Sequence, residues 1–295
     1  MVDFLRAGLD VTVYCVDVYS FLVNYVHPME VVAHRCEYYR LLVSAVLQSL
    51  GVQLSQVKFV SESSLAYSKD FVVDMQKLCA LMTQQDARST CDEVATTKML
   101  SPMLCCIHQS LSEEYLAMDI QQRLHLMNPM VAGLDGLKMS SSKPPDTKIE
   151  FLDDPDTVWR KVHNASCPPQ QIIENGVMEL LKHVLIPVSE MRLEQKRGQT
   201  GLNTDEAKSG SQRPFVTDSA PDDAVFSVSR QRGMDPLHFA SYMELERAYI
   251  SGVVEPEPLK EAVASAFNGL IAPIRRIYQE SKEWQEVDRA AYPEE

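Results

Sequence analysis

Short apolar runs alternate with longer amphipathic segments in the first part of the chain. The runs at 11–16 and 57–60 predict two buried strands, and a short helix is predicted to end at Gly8, before the first of them. Strands that alternate with helices indicate an α/β fold, with a parallel sheet and right-handed crossovers.

Two longer helices are predicted on either side of the second strand. The first begins with Pro28 and ends at Gly51. The second is capped by Ser68, and its apolar residues recur at helical spacing. These residues are Phe71, Val72, Met75, Leu78 and Leu81.

Beyond about residue 155 the strand pattern fades and helices are predicted instead. Pro168 is expected to open one helix, the pair Ser241 and Glu244 to form the capping box of a second, and Pro258 to start a third. The segment 194–223 is rich in Gly, Ser, Thr, Asp and Lys, which predicts a flexible loop. The third helix has an apolar face formed by Leu259, Val263, Ala266, Phe267, Leu270 and Ile274.

The composition is that of a globular protein, with 45% apolar and 23% charged residues. No apolar run is long enough to span a bilayer, and the opening MVDFLRAG lacks a basic start followed by an apolar segment. These features predict a cytoplasmic protein without a membrane partner. Seven cysteines, none in a CxxC pair, fit a reducing compartment, and no Cys/His group has the spacing of a zinc site.

The net charge of −13 argues against a protein that binds nucleic acid over its whole surface. Residues 1–150 carry −5 and residues 151–295 carry −8, so neither half is basic. RNA binding would therefore require a local basic patch, because neutralisation of phosphates supplies much of the affinity.

The segment 133–142 combines residue types that bind phosphates. Gly133, Gly136, Lys138 and three serines lie on one short stretch, which we expect to be mobile. A lysine, rotatable hydroxyls and free backbone N–H groups suit the phosphates of a nucleotide. The alternative is an ordinary surface loop rich in Ser and Gly.

The surrounding sequence resembles a known family. The run 125–153, with Lys-Met-Ser-Ser-Ser at its centre, closely resembles the signature-loop region of eukaryotic cytoplasmic tyrosyl-tRNA synthetases. The long loop at 194–223 and the C-terminal sequence resemble those of fungal members. The resemblance implies a partial Rossmann-type sheet of a class I synthetase, followed by an all-helical anticodon-binding domain. The corresponding domains would be 1–155 and 156–295. It also implies ATP with magnesium as substrate, L-tyrosine and tRNA-Tyr as partners, and a homodimer formed through the helices at 68–118.

The resemblance also assigns roles to single residues. Lys138 and the serines would stabilise the pyrophosphate that leaves when tyrosine attacks the α-phosphate of ATP, and Gln109 and Gln121 would bind tyrosine. The residues expected at the nucleotide are Met130, Val131, Lys138, Met139, Ser140, Ser141 and Ser142.

The helix that reads tyrosine in the family differs here. The family has Tyr, then Gln four residues later, then Asp three further on, a spacing that puts all three on one helical face. The tyrosine and glutamine hold the amino group of the substrate, and the aspartate accepts its phenol hydroxyl. This chain has Cys105, Gln109 and Ser112 at these positions. Ser110 and Ser112 have an alternative role as helix caps ahead of Glu113.

Further departures concern family segments without a counterpart. The family's HIGH-like motif, which ends an N-terminal strand, is missing from the sequence. The family's Gly-Gly-x-Asp-Gln segment, expected between Gln121 and Gln122, is missing as well. His27, His34 and His108 lie in no matching context and are interpreted as surface or core residues. Pro258 replaces an aspartate that helps to read the anticodon.

Two functional hypotheses follow. The first is a tyrosine–tRNA ligase with impaired catalysis. The second is a non-catalytic paralogue that serves as a binding or dimerisation module, or an incomplete gene product in which absent exons carry the missing segments. Missing exons do not explain Cys105, Ser112 and Pro258, which lie in sequence that is present.

Overall fold

The chain forms two compact units. The computed structural model describes residues 1–24, 27–116, 131–139, 143–198, 213–230 and 234–293. The first unit, unit 1, comprises Met1–Leu47, Gln53–Met127 and Tyr278–Glu295, and unit 2 comprises Gln48–Val52 and Asn128–Ile277. These units do not divide the chain at residue 155, and the domains given by the resemblance stay a prediction.

Unit 1 is built on a parallel pair of strands, as the sequence pattern predicted. Strand β1 (Val11–Cys15) pairs with β2 (Val57–Ser61) in a register that places Val11 opposite Val57. The helices of unit 1 are α1 (Val2–Arg6), α2 (Asp17–Asn24), α3 (Met29–Ser49), α4 (Ser63–Ala66), α5 (Lys69–Leu81), α6 (Gln84–Arg88), α7 (Asp92–Thr96), α8 (Cys105–Tyr115) and α14 (Lys282–Ala291).

The predicted ends of α1 and α3 and the predicted cap of α5 are confirmed with one shift. Gly8 and Gly51 have φ values of +75° and +82°, the left-handed conformation that ends a helix. Ser68 Oγ accepts the hydrogen bond from the Phe71 amide at 3.3 Å. Pro28, predicted as the first residue of α3, instead lies just before it, and its carbonyl accepts the hydrogen bond of the Val32 amide at 3.2 Å.

A small core holds the helices of unit 1 together. Buried residues from α2, α4, α5 and α8 contact one another around Phe71, which is 0% exposed. The other buried members of this cluster are Val18, Ala66, Ile107 and Leu111. Burial of these apolar side chains fixes α8 against α2, α4 and α5, and α2 and α4 are the helices that follow β1 and β2.

Unit 2 is mainly helical, with one short antiparallel pair of strands. Its elements are α9 (Pro155–Asn164), α10 (Gly176–Leu180), α11 (Ile186–Lys196), β3 (Phe226–Val228), β4 (Leu237–Phe239), α12 (Tyr242–Ile250) and α13 (Pro256–Glu280). A π-helical turn, Leu181–Leu185, joins α10 to α11. The predicted apolar face of α13 is confirmed, since all six of its residues are buried.

The predicted start of the helix at Pro168 is wrong. The helix begins at Gly176, where Asn175 Oδ1 accepts the hydrogen bond of the Met178 amide at 3.0 Å. Gln170 and Glu174 have positive φ values of 59° and 56°, so the chain between Pro168 and α10 cannot be helical.

Two other boundaries of unit 2 differ from the prediction. Helix α13 begins at Pro256, two residues before Pro258, which lies in its first turn. Helix α11 continues to Lys196, into the segment predicted as a loop, and residues 199–212 of that segment lie outside the described chain. In the part of the chain that the structure describes, no helix is long and apolar enough to cross a membrane.

Candidate functional site

Two carboxylates connect the ends of the parallel strands. Asp17 follows β1, and its Oδ1 accepts the hydrogen bond of the Ser63 amide at 2.9 Å. Glu62 follows β2, and its Oε2 accepts that of the Tyr19 amide at 2.7 Å. Each carboxylate therefore caps the helix that follows the other strand, where the amides are unpaired and the helix dipole favours negative charge. This is the sheet edge at which open α/β proteins bind ligands.

Helix α8 is tied to this edge by His108. His108 Nδ1 lies 2.9 Å from Glu62 Oε1, and both side chains are buried. The interpretation of His108 as a satisfied core residue is confirmed, and His27 and His34 are exposed. Both oxygens of Glu62 are thus engaged in holding the scaffold together.

A cavity opens between the strand ends and α8. Its volume is about 310 Å³. Among the described residues, those that line it are Tyr14, Val16, Tyr19, Glu62, Gln109, Ser112, Glu113 and Leu116. Aromatic and aliphatic side chains form its walls, and a few polar groups converge on it, as is typical of a small-molecule site.

The buried end of this cavity holds a hydrogen bond between Tyr14 and Ser112. The Tyr14 hydroxyl donates to Ser112 Oγ at 2.7 Å, and Ser112 is 5% exposed. Burial raises the pKa of Tyr14 to about 12, while the bond to Ser112 acts in the opposite direction and the charges of Glu62 and Asp17 raise the pKa further. The phenol is therefore protonated and acts as a donor at neutral pH.

The capping role considered for two serines is wrong. Helix α8 begins at Cys105, so Ser110 and Ser112 lie in its interior and cannot cap its start. Ser110 Oγ instead donates to the Cys106 carbonyl, one turn earlier, at 2.9 Å.

The three positions of the tyrosine-reading pattern all lie on α8 but in different surroundings. Gln109 and Ser112 line the cavity, with Gln109 at its exposed end. Cys105 is 2% exposed, and burial raises the pKa of its thiol to about 12, so the thiol stays neutral. Gln121, the other expected tyrosine ligand, lies outside the described residues.

The Lys138 segment forms the stem of a hairpin in unit 2. The Gly133 amide donates to the Leu137 carbonyl at 2.7 Å, and the Met139 amide donates to the Val131 carbonyl at 3.3 Å. The side chains of Lys138 and Met139 are exposed on this stem. Met130 and the serines at 140–142, which were predicted beside them, lie outside the described residues.

Close backbone packing surrounds the glycines of this stem, and the expected mobility of the segment stays a prediction. Gly136 has a φ of +75°, and a Cβ there would lie 2.2 Å from the Glu174 carbonyl oxygen. A Cβ at Gly176 would lie 2.5 Å from the Gly133 carbonyl oxygen. These contacts exclude any side chain at either position.

An ion pair and a backbone hydrogen bond hold Asp135, which lies in the turn of this hairpin. Lys143 Nζ donates to Asp135 Oδ2 at 2.7 Å, and the Leu137 amide donates to Asp135 Oδ1 at 3.0 Å. Lys143 is the main reason that the pKa of Asp135 lies below its usual value. The stem therefore presents Lys138 to solvent from a backbone that is held on both sides.

Sequence reasoning missed Tyr14 and Glu62. Both lie at the carboxyl ends of predicted strands, so their position at the ligand-binding edge could have been inferred from the strand pattern. The described ranges contain no group of three or more His, Cys, Asp or Glu side chains arranged to hold a metal ion.

The chain is similar in sequence to proteins of known function. The family model "tRNA synthetases class I (W and Y)" matches residues 108–272. The cytoplasmic tyrosine–tRNA ligase of Saccharomyces cerevisiae is 31% identical over 320 aligned positions, covering 99% of this chain and 75% of the relative. The cytoplasmic tyrosine–tRNA ligase of Gallus gallus is 33% identical. That alignment covers 99% of this chain and 54% of the length of the Gallus gallus protein. The alignment with the yeast protein has more positions than this chain has residues, 320 against 295, so it contains gaps in the sequence of this chain.

A solved structure gives the same result. The tyrosyl-tRNA synthetase of Archaeoglobus fulgidus, crystallised with L-tyrosine, superposes with a TM-score of 0.68 at 27% identity, covering 93% of this chain and 81% of that one. By sequence and by fold, the chain belongs to the tyrosyl-tRNA synthetase family of class I.

Proposed function

We propose that the chain is a non-catalytic paralogue of tyrosine–tRNA ligase, which keeps the synthetase fold but does not activate tyrosine. The observation that carries the proposal is the hydrogen bond of Ser112. Its Oγ, at the position where the family carries an aspartate, is occupied by the Tyr14 hydroxyl at 2.7 Å.

The chemistry of tyrosine selection supports this proposal. A site that recognises a phenol through a buried carboxylate rejects phenylalanine strongly, because the carboxylate would otherwise stay unpaired. Ser112 is neutral and shorter, and the buried thiol of Cys105 replaces a phenol that would bind the substrate amino group. Two of the three groups that select tyrosine are therefore lost.

The nucleotide side of the site is proposed to be retained. Lys138 would contact the phosphates of ATP, bound as its magnesium complex, together with Ser140, Ser141 and Ser142. The hairpin supports this role because it holds Lys138 on a fixed backbone with the side chain exposed. Met130, Val131 and Met139 would lie against the nucleotide.

The second candidate is an active tyrosine–tRNA ligase, with tRNA-Tyr as its macromolecular substrate. Gln109 favours it, because this amide lines the cavity where it could hold the amino group of tyrosine. Gln121 would complete that contact. The names of the relatives also favour a cytoplasmic location for either candidate.

We propose a homodimer for both candidates, formed by the helices at 68–118. Several large apolar side chains of this region face solvent in the single chain, and among the described residues the most exposed are Leu81, at 79%, and Leu100, at 70%. Their burial against a second copy would stabilise the pair. Light scattering after gel filtration measures this directly, and replacement of both residues by serine should yield a monomer.

The experiment that tests the proposed function is tyrosine-dependent exchange of pyrophosphate into ATP. We expect no exchange above that of a Lys138→Ala variant, which lacks the phosphate-binding lysine. Exchange at about 1 s⁻¹ or faster, as for ordinary enzymes, would establish the active ligase instead.

A further inference from the structure

The cavity beside α8 is already filled at its buried end. Ser112 is 5% exposed whereas Gln109, one turn earlier on the same helix, is exposed, so Ser112 lies at the buried end of the cavity. At that end the phenol of Tyr14, from β1, donates to Ser112 Oγ at 2.7 Å. A side chain of the protein thus makes the contact that a ligand entering to full depth would make.

We propose that Tyr14 is a built-in occupant of the side-chain subsite, and that the cavity accepts an amino acid with a short aliphatic side chain instead of tyrosine. The inference rests on the proposed function, which assigns Ser112 to the position that reads the substrate side chain. It names Tyr14 as the residue that determines specificity.

Entry of a second phenol would disrupt a satisfied pair. A ligand phenol that donates to the Ser112 Oγ lone pair used by Tyr14 would have to take the place of the Tyr14 hydroxyl. A Tyr14 phenol displaced in this way would lose its hydrogen-bond partner, and a buried polar group without a partner is costly. Tyrosine and phenylalanine would also both meet the ring of Tyr14, because this residue lines the cavity.

The remaining space suits an aliphatic amino acid. Val16 and Leu116 supply aliphatic walls, and Gln109 lies in the same lining. The amide oxygen of Gln109 is an acceptor of the kind that an α-ammonium group requires. Glu62 is engaged with His108 and the Tyr19 amide, so its role is to hold the scaffold.

Isothermal titration calorimetry of the full chain with L-leucine, L-valine, L-phenylalanine and L-tyrosine tests the proposal. We expect the wild type to bind leucine or valine more tightly than either aromatic amino acid, by about tenfold or more. A Tyr14→Leu variant removes the occupant and should gain affinity for tyrosine by a similar factor. Tyr14→Phe is the matched control, because it keeps the ring and should retain the preference of the wild type.

Each outcome bears on a separate part of the proposal. A wild-type chain that binds tyrosine as tightly as leucine, or binds no aliphatic amino acid, would overturn the assigned ligand class. A folded Tyr14→Leu variant without a gain for tyrosine would overturn the role of Tyr14. The wild-type comparison needs no variant, so it stands even if Tyr14→Leu does not fold.

The pyrophosphate exchange assay distinguishes this inference from the proposed function. Leucine-dependent exchange without tyrosine-dependent exchange would support Tyr14 as the residue that determines specificity. The same result would overturn the proposed function, because it would show that the chain catalyses activation of another amino acid. Tight binding of tyrosine to the wild type without exchange would overturn the inference about Tyr14 alone.

Discussion

The cavity of unit 1 and the hairpin of unit 2 relate to the family in opposite ways. In the cavity the scaffold is intact, with Asp17 and Glu62 capping each other's helices, yet Cys105 and Ser112 depart from the tyrosine-reading pattern that the sequence resemblance implies. In the hairpin Lys138, which the same resemblance assigns to the phosphates of ATP, lies on a backbone fixed by glycines.

This difference reflects what each region requires. In the cavity the differences are confined to two side chains of α8, and the hydrogen bonds by which Asp17 and Glu62 cap the helices involve neither of them. The hairpin depends on close backbone contacts, where nearly any change disrupts packing. Specificity is therefore easier to lose than the fold that carries it.

The largest expected effect is on the hairpin, from Gly136→Ala. The added Cβ would lie 2.2 Å from the Glu174 carbonyl oxygen at a φ of +75°. Steric overlap and the left-handed backbone together should lower the free energy of unfolding by about 3–5 kcal/mol, as measured by urea denaturation.

The matched control for this prediction is Gly198→Ala. Gly198 has a similar φ of +69°, but among the residues that the structure describes none lies within 4 Å of the added Cβ. It should cost only the backbone strain, about 1 kcal/mol. Equal losses in the two variants would show that the hairpin is not closely packed.

The next effect is on the scaffold of the cavity, from Glu62→Ala. This change leaves His108 Nδ1 and the Tyr19 amide without their acceptor. Loss of the acceptor for one buried imidazole and one part-buried amide should lower the free energy of unfolding by about 2–4 kcal/mol. Glu62→Gln retains an acceptor oxygen and should cost less; if both variants cost the same, the hydrogen bonds of Glu62 contribute little.

A smaller effect is expected on nucleotide binding, from Lys138→Ala. Loss of a charge-assisted contact should weaken ATP binding by about 1.5–3 kcal/mol, or roughly tenfold or more, in calorimetric titration. Lys98→Ala removes an equally exposed charge outside the hairpin and should leave the affinity unchanged. Equal affinities for wild type and Lys138→Ala would show that the hairpin is an ordinary surface loop.

The smallest effect concerns the reactivity of a cysteine beside the cavity scaffold. A hydrogen bond from Cys36 lowers the pKa of the Cys15 thiol from its ordinary value of 9.0 to about 7. The thiolate is the reactive form, so alkylation of Cys15 should fall as the pH drops below about 7. Peptide mapping by mass spectrometry measures this at each pH. Cys36→Ala should move the midpoint upward, and an unchanged midpoint would contradict the role of Cys36.

Local patterns predicted the parts of the fold that depend on neighbouring residues. The strands β1 and β2, the cap at Ser68 and the helix end at Gly8 each follow from residue types within one or two turns. The start of α10 was predicted wrongly, because positive φ values at Gln170 and Glu174 are not visible in an apolar pattern. Strands β3 and β4 contain three residues each, too few to show a period.

The site was less predictable because it depends on distant contacts. Gln109 and Ser112 were found through their spacing on one helix and do line the same cavity. The partner of Ser112, Tyr14, lies 98 residues away in sequence, and no local pattern links the two. Contacts of this kind arise only when the parallel strands and α8 pack together.

The central claim, that this chain does not activate tyrosine, is tested most directly by a single-turnover assay. The protein is mixed in excess with ATP, magnesium, tyrosine and pyrophosphatase, and tyrosyl-adenylate is measured by mass spectrometry, so that slow release cannot mask formation. The account predicts no more adenylate than the Lys138→Ala variant produces. Accumulation of tyrosyl-adenylate in proportion to the ATP supplied would contradict it.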